Sequence, residues 1–271
     1  MSKIAFVLAL IALPFIAKGQ DGVLEPNSGI LYKKVMVIPY HPNNYISDSD
    51  QDIVKFLGKD SKGLQDKFRE GLDEAVNKGV RRQYDAYSFL DKPSKTSDED
   101  LKDVYRNISY KYDTTTSYYM AEEAQDSETI FPTMKKRIER YLSKRGHRNE
   151  LVAVSDEAIE VQYMHADIKN LAIIQSVAQN YDADLYVFIN QLEVKINYNN
   201  CIDLANNNYA REFRMHFSIY DSQGNLLYGD VAKAVFPSNN NDPDMIMQNS
   251  FPLMAQFLTD KLPSPFVTSE N

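Results

Sequence analysis

Residues 169–200, KNLAIIQSVAQNYDADLYVFINQLEVKINYNN, decide the fold, because they predict an amphipathic helix that leads directly into a long β-strand. In the first half, Leu171, Ile174 and Ala178 recur at three- and four-residue steps, which places them on one helical face. Leu185–Ile189 is apolar at every position, which indicates a strand that is covered on both faces. The residues after it alternate between apolar and polar, which predicts that this end of the strand has one face open to water.

The stretch 210–236, AREFRMHFSIYDSQGNLLYGDVAKAVF, predicts an antiparallel hairpin. Phe213, Met215 and Phe217 alternate with polar residues, as in a half-buried strand. His216 falls on the polar side and is expected at the surface. Gly224 lies in the turn, where glycine supplies a positive φ angle at no steric cost.

These patterns predict an α/β fold of the α+β type. It has a mixed sheet with a C-terminal antiparallel hairpin, helices packed on the sheet, and a mostly helical insertion at about 91–149. Residues 20–271 are expected to form this single domain. The other elements expected are a strand at KKVMVIPY (33–40) and helices at 61–78, 98–108, 157–166 and 242–262, the last kinked or divided by Pro252.

The first nineteen residues have the pattern of a secretory signal peptide. Lys3 precedes an apolar run from Ile4 to Ile16, and the small residues Ala17 and Gly19 occupy the positions favoured for cleavage. We therefore expect an exported protein, periplasmic or associated with the outer envelope. No later stretch is apolar for long enough to span a bilayer.

The net charge of −8 argues against nucleic acid or an anionic membrane surface as the main partner. The sequence contains no paired metal-ligand spacing, nucleophile elbow, phosphate-binding glycine loop or dinucleotide fingerprint. It therefore predicts no catalytic residue, no metal ligand and no cofactor. The alternation of Asp48, Asp50 and Asp52 suggests a calcium loop, but Ile53 and Lys59 stand where that loop needs glycine and glutamate. An acidic helix start is the simpler interpretation.

Two groups of residues inside the expected insertion are candidates for binding a partner. The first group is a tract of aromatic side chains with a polar hydroxyl, which suits glycan or protein surfaces but also ordinary packing: Tyr110, Tyr112, Tyr118 and Tyr119. The second group is a cluster of positive charge on a predicted helix, which suits an acidic partner or a lipid headgroup but also a solvated face: Lys135, Lys136, Arg137 and Arg140.

Four segments together resemble a group of bacterial envelope proteins. They are KKVMVIPY (33–40), ELVAVSDEAIEVQ (150–162), LAIIQSVAQNYDADLYVFINQLEV (171–194) and IYDSQGNLLYGD (219–230). They are similar to the curli-secretion channel subunit family, the amino-terminal domain of the Tol-system β-propeller protein, and lipoprotein activators of penicillin-binding proteins. The resemblance covers about 33–90 and 150–262 and implies a fold without carrying over any functional residue. The lipid-anchor cysteine common in these families is missing here.

The leading hypothesis from the sequence is an exported, non-catalytic envelope protein that binds another envelope component or assembles with itself. One alternative is a hydrolase of envelope polymers, which would need two carboxylates converging in a cleft. Another is a glycan- or surface-binding module based on the tyrosine tract.

Overall fold

The computed structural model describes residues 34–57, 60–91, 94–117, 159–197 and 209–265. The predicted signal peptide and the helix predicted around the basic residue Arg137 lie outside these ranges.

A mixed sheet forms the centre of the fold, in the strand order β3-β1-β6-β7-β8, with β2 also paired to β6. Strands β1, β3 and β6 are parallel, whereas β6, β7 and β8 are antiparallel. The predicted fold class, a mixed sheet with a C-terminal hairpin and helices packed on it, is confirmed. The strands are β1 (Lys34–Ile38), β2 (Tyr45–Ser47), β3 (Asp85–Ser88), β6 (Leu185–Asn197), β7 (Ala210–Asp221) and β8 (Leu226–Pro237).

Five helices in the described ranges pack on the two faces of this sheet. They are α1 (Asp50–Leu57), α2 (Ser61–Val80), α3 (Lys95–Arg106), α4 (Leu171–Tyr181) and α5 (Pro243–Thr259). Helix α3 begins earlier than predicted, because Ser94 and Ser97 form a reciprocal capping box. Helix α5 is one continuous helix and is not divided at Pro252, whose ring lies on the exposed side.

Each face of the sheet has its own hydrophobic core. Val35 and Val37 of β1 point to the first core, which α2 and α5 cover. Met36 and Ile38 of the same strand point to the second core, which α3 and α4 cover. This double cover explains why β1 is apolar at each position from Val35 to Ile38.

A second sheet of two antiparallel strands lies over the second face. Strand β4 (Ile108–Ser117) pairs with β5 (Ile159–Ile168) over ten residue pairs, and we call this unit the ribbon. The helix predicted at 157–166 is therefore wrong. Its acidic start and spaced apolar residues suit a helix locally, but pairing with a distant strand outweighs such local preference. The described part of the expected insertion, 94–117, thus supplies a helix and a strand to the second layer.

An irregularity at Asn190 divides β6 into two halves. The pairing of β6 with β7 shifts register between Ile189 and Gln191. Val187 and Ile189 face the first core before the shift, and Leu192 faces the same core after it. One extra residue therefore reverses the alternation, as a β-bulge does.

Gly229 permits the ribbon to approach β8 closely. A Cβ atom on Gly229 would lie 2.1 Å from Cε2 of Tyr163, which is on β5 and is 4% exposed. We expect Gly229→Ala to lower the free energy of unfolding by about 1–3 kcal/mol, as overpacking does. Denaturant unfolding of this variant, of Tyr163→Ala and of the double variant measures the effect. The clash predicts that Tyr163→Ala removes most of the cost of the alanine, whereas additive losses would contradict the contact.

No helix within the described ranges is both long enough and apolar enough to cross a membrane.

Candidate functional site

The structure separates the predicted binding residues. Tyr110 is partly buried and packs against the second core, where burial raises the pKa of its hydroxyl. Tyr112, two residues further along β4, is 55% exposed. Tyr118, Tyr119 and the four basic residues Lys135, Lys136, Arg137 and Arg140 lie outside the described residues.

Tyr112 is held in place although its ring is exposed. Its hydroxyl lies 3.0 Å from Oε1 of Gln191, to which it donates a hydrogen bond, and Gln191 is 2% exposed. Its ring meets the ring of His216 edge-on, with 6.2 Å between the centroids. The buried side chains of Gln191 and His216 restrict the rotamers of Tyr112. Less conformational entropy is therefore lost when another molecule binds to this ring.

His216 is not a surface residue, contrary to the sequence-based expectation. It is 4% exposed, and its Nδ1 accepts a hydrogen bond of 3.0 Å from the backbone N–H of Met164 on β5. The neutral imidazole therefore carries its proton on Nε2, which lies 3.8 Å from Oε1 of Glu193. That distance is longer than a hydrogen bond, but the adjacent imidazole holds the pKa of the Glu193 carboxyl below its usual range.

Asn190, at the bulge of β6, connects three parts of the fold. Its Nδ2 donates to the carbonyl oxygen of Met164 and to Oγ of Ser218, each at 2.9 Å. The backbone carbonyl oxygen of Asn190 accepts a 2.8 Å hydrogen bond from Nδ2 of Asn44, in the loop after β1. The bulge thus joins that loop, the main sheet and the ribbon.

The ribbon meets the main sheet through the backbone edge of β5. His216 and Asn190 bind the N–H and the carbonyl of Met164, and the Tyr220 hydroxyl donates to the carbonyl of Ala166. An unpaired strand edge is a potential pairing site for another chain. Here side chains from β6 and β7 bind the edge of β5 at Met164 and Ala166. These hydrogen bonds fix the position of the ribbon on the main sheet. We call this set the interlayer polar cluster: Tyr112, Asn190, Gln191, Glu193, His216, Ser218 and Tyr220.

Beyond Tyr112 the ribbon extends past the sheet that covers it. On the side that carries Tyr112, Ile108 is 5% exposed and Met164 is 9% exposed, whereas Thr114 and Glu160 are exposed. The ribbon therefore presents Tyr112 at the boundary between the covered half and an overhanging polar half.

The three aspartates that suggested a calcium loop have separate partners. Asp48 lies 3.7 Å from Nζ of Lys195, and Asp52 lies 3.0 Å from Nη2 of Arg211. Asp50 accepts a 2.6 Å hydrogen bond from the Tyr45 hydroxyl, so the three carboxylates do not converge. Among the residues that the structure describes, no group of three or more His, Cys, Asp or Glu side chains is placed to hold a metal ion.

The sequence analysis named Tyr112 as a candidate, but it did not predict the interlayer polar cluster beneath it. Gln191 and Glu193 were expected on a wet face, yet Gln191 is buried beneath Tyr112 of the ribbon and Glu193 is half-buried beside His216. The sequence did contain one indication that this face is buried, namely the kind of polar residue on it. Asn190, Gln191 and Ser218 are uncharged, and such side chains satisfy buried hydrogen bonds at lower desolvation cost than charged residues.

No protein-family model matches the chain, and a search of curated proteins finds no matching relative.

Proposed function

We propose that the protein is an exported, non-catalytic envelope protein that binds another envelope component through the exposed face of the ribbon around Tyr112. The observation that carries the proposal is the exposed and restrained ring of Tyr112. Its ring is 55% exposed, and its hydroxyl is hydrogen-bonded to the buried Gln191. Tyrosine is enriched among the residues that contribute most to protein interfaces, and a restrained anchor binds with a smaller entropic cost.

The surroundings of Tyr112 suit the edge of an interface. Thr114 and Gln162, which are paired across the ribbon beyond Tyr112, add exposed hydrogen-bonding groups. An aromatic centre with a polar rim is the usual composition of a protein-binding surface.

The leader-like sequence and the resemblance to envelope proteins support export and an envelope partner. Tyr118 and Tyr119, which lie outside the described residues, stay candidate contacts within this proposal. The basic residues around 137 stay a second candidate contact within this proposal.

Capture of partners from envelope extract tests the proposal with a matched control. Tyr112→Ala removes the exposed ring, whereas Met245→Ala removes a side chain of similar exposure, 53%, from α5. We expect Tyr112→Ala to lower the amount of the captured component at least tenfold, as loss of an aromatic anchor does, and Met245→Ala to capture it like the wild type.

Three outcomes would contradict the proposal. Equal capture by wild type and Tyr112→Ala would remove the ribbon from the binding surface. Specific capture of an envelope polysaccharide in place of a protein would favour the glycan-binding alternative. Failure of the wild type to retain any envelope component above an unrelated exported protein would remove the binding function itself.

A further inference from the structure

The carboxyl ends of β1 and β3 form an edge where the chain leaves in two opposite directions. These neighbouring parallel strands end at Ile38 and Ser88. After β1 the chain continues through β2 and α1 to α2 on the first core, and after β3 it leads to α3 on the second core. In open α/β sheets, ligands bind outside the carboxyl ends of the strands.

Side chains from both faces converge on the loop that follows β1. Arg69 of α2 donates from Nε to the carbonyl oxygen of Tyr40 at 2.8 Å. Its Nη2 lies 3.0 Å from the hydroxyl of Tyr105 of α3, and that hydroxyl donates to the carbonyl of Pro39 at 2.7 Å. The guanidinium is thus fixed by one partner from the loop and one from the opposite layer.

The positive charge of Arg69 has no carboxylate partner among the described residues. Three aspartates lie near enough to influence the tyrosines around it, but each is engaged elsewhere: Asp50 with Tyr45, Asp66 with Lys62, and Asp73 with Ser88. Of the described arginines that are at least partly buried, Arg211 and Arg214 each form an ion pair with an aspartate or glutamate, whereas Arg69 does not. A partly buried arginine is usually paired in this way. The unpaired charge of Arg69 therefore indicates a binding site for an external anion.

The donors and rings around Arg69 suit an organic carboxylate. Two of the five guanidinium N–H groups are used, so Nη1 and the second hydrogen of Nη2 remain to bind two oxygen atoms side by side. His41 meets the Tyr105 ring edge-on at 4.9 Å between centroids, which adds apolar surface beside the charge. Burial and the Arg69 charge lower the pKa of His41, so this imidazole does not add a competing positive charge at neutral pH.

We infer that the loop after β1, with Arg69 as the charged anchor, binds the carboxylate of a small organic ligand. Tyr105 is a positioning residue in this site, because it orients the guanidinium. The site lies at the edge of β1 and does not depend on Tyr112 or on the proposed partner.

The test uses benzoate and inorganic phosphate as separate probes of the full chain. The side-chain Nε–Hε signal of Arg69, assigned by its loss in Arg69→Gln, reports binding in nitrogen-15 NMR spectra. We expect benzoate to shift this signal with saturation on the order of 1 mM, which is typical for a ligand of this size. Phosphate is expected to shift it more weakly.

The variants separate a site from a general charge effect. Arg69→Gln should weaken benzoate binding at least tenfold, and Tyr105→Phe should weaken it several-fold while Arg69 keeps its charge. Arg82→Gln is the matched control, because Arg82 is exposed and its side chain bonds to the neutral Gln256. This variant should bind benzoate like the wild type.

If Arg69→Gln does not fold, Arg69→Lys is used to assign the Nε–Hε signal of Arg69. Benzoate binding can then still be measured from this signal in the wild type. No saturable shift by benzoate up to about 50 mM, well above the expected range, would overturn the inference. So would equal binding by wild type and the folded Arg69 variant. Saturable binding of phosphate without benzoate would overturn the assignment to a carboxylate.

Discussion

Replacing Asp73 by Asn is expected to raise the free energy of unfolding at pH 8 by about 2–4 kcal/mol. Asp73 of α2 is 2% exposed, and burial raises the pKa of its carboxyl to about 7, although a hydrogen bond from Ser88 and the charge of Arg69 oppose the shift. The Ser88 hydroxyl lies 2.5 Å from Oδ2, while Oδ1 has no hydrogen-bond partner among the described residues. Asn keeps the shape and an acceptor for Ser88 but never carries the charge.

The sign follows from proton binding. Between the ordinary aspartate pKa of 3.8 and a folded-state pKa of about 7, the folded protein holds a proton that the unfolded chain has lost. Stability contributed by the neutral carboxyl is complete below pH 3.8 and is lost as the pH rises through 7. The advantage of Asn should therefore be small at pH 4 and largest above pH 7.

Denaturant unfolding of the two proteins at several pH values between 4 and 8.5 measures this difference. Asp66→Asn is the matched control, because Asp66 lies on the same helix in an exposed pair with Lys62. It should change stability by no more than about 0.5 kcal/mol throughout. Parallel curves of stability against pH for wild type and Asp73→Asn would show that the carboxyl is not held neutral by burial.

Phe213→Ala is expected to lower the free energy of unfolding by about 3–5 kcal/mol. Phe213 of β7 is 0% exposed and stacks on Phe236 at 4.9 Å between ring centroids. It also meets Phe251 of α5 edge-on at 5.1 Å and Phe68 of α2 edge-on at 5.4 Å. Because this ring joins two strands and two helices, its removal leaves a cavity that no single neighbour can fill.

The midpoint of urea unfolding measures the loss. Phe213→Leu retains most of the apolar volume and should lose less, whereas Met245→Ala, at an exposed position, should lie within about 0.5 kcal/mol of the wild type. If Phe213→Ala unfolds at the same urea concentration as Met245→Ala, the first core is not organised around this ring.

The parts of the fold that depend on local pattern were predicted from the sequence. The alternation of Phe213, Met215 and Phe217 gave the strand and its buried face, and the apolar run Leu185–Ile189 gave the doubly covered strand. Gly224 has a φ of 80°, as expected for the turn between β7 and β8. In each case the strand or turn is formed by the same residues that carry the sequence pattern. Residues close together in the sequence are therefore enough to predict it.

The parts that depend on distant pairing were not predicted. The ribbon forms because β4 meets β5 across residues 118–158, and no local pattern in either strand shows this partner. Without the ribbon, the alternation of apolar and polar residues predicted that His216 and Gln191 lie on a face open to water. Arg69 likewise resembles an ordinary charged position on the outer face of α2, until Tyr105 and the loop after β1 meet it in the folded chain.

The central claim is that the ribbon presents Tyr112 to a partner, and site-specific photocrosslinking in the producing cells tests it most directly. A benzophenone amino acid is placed at position 112 in the full-length protein, and at position 245 as the control with similar exposure. The account predicts a covalent adduct of one discrete mass with an envelope protein from position 112 and none from position 245. Absence of an adduct from position 112, or the same adducts from both positions, would contradict it.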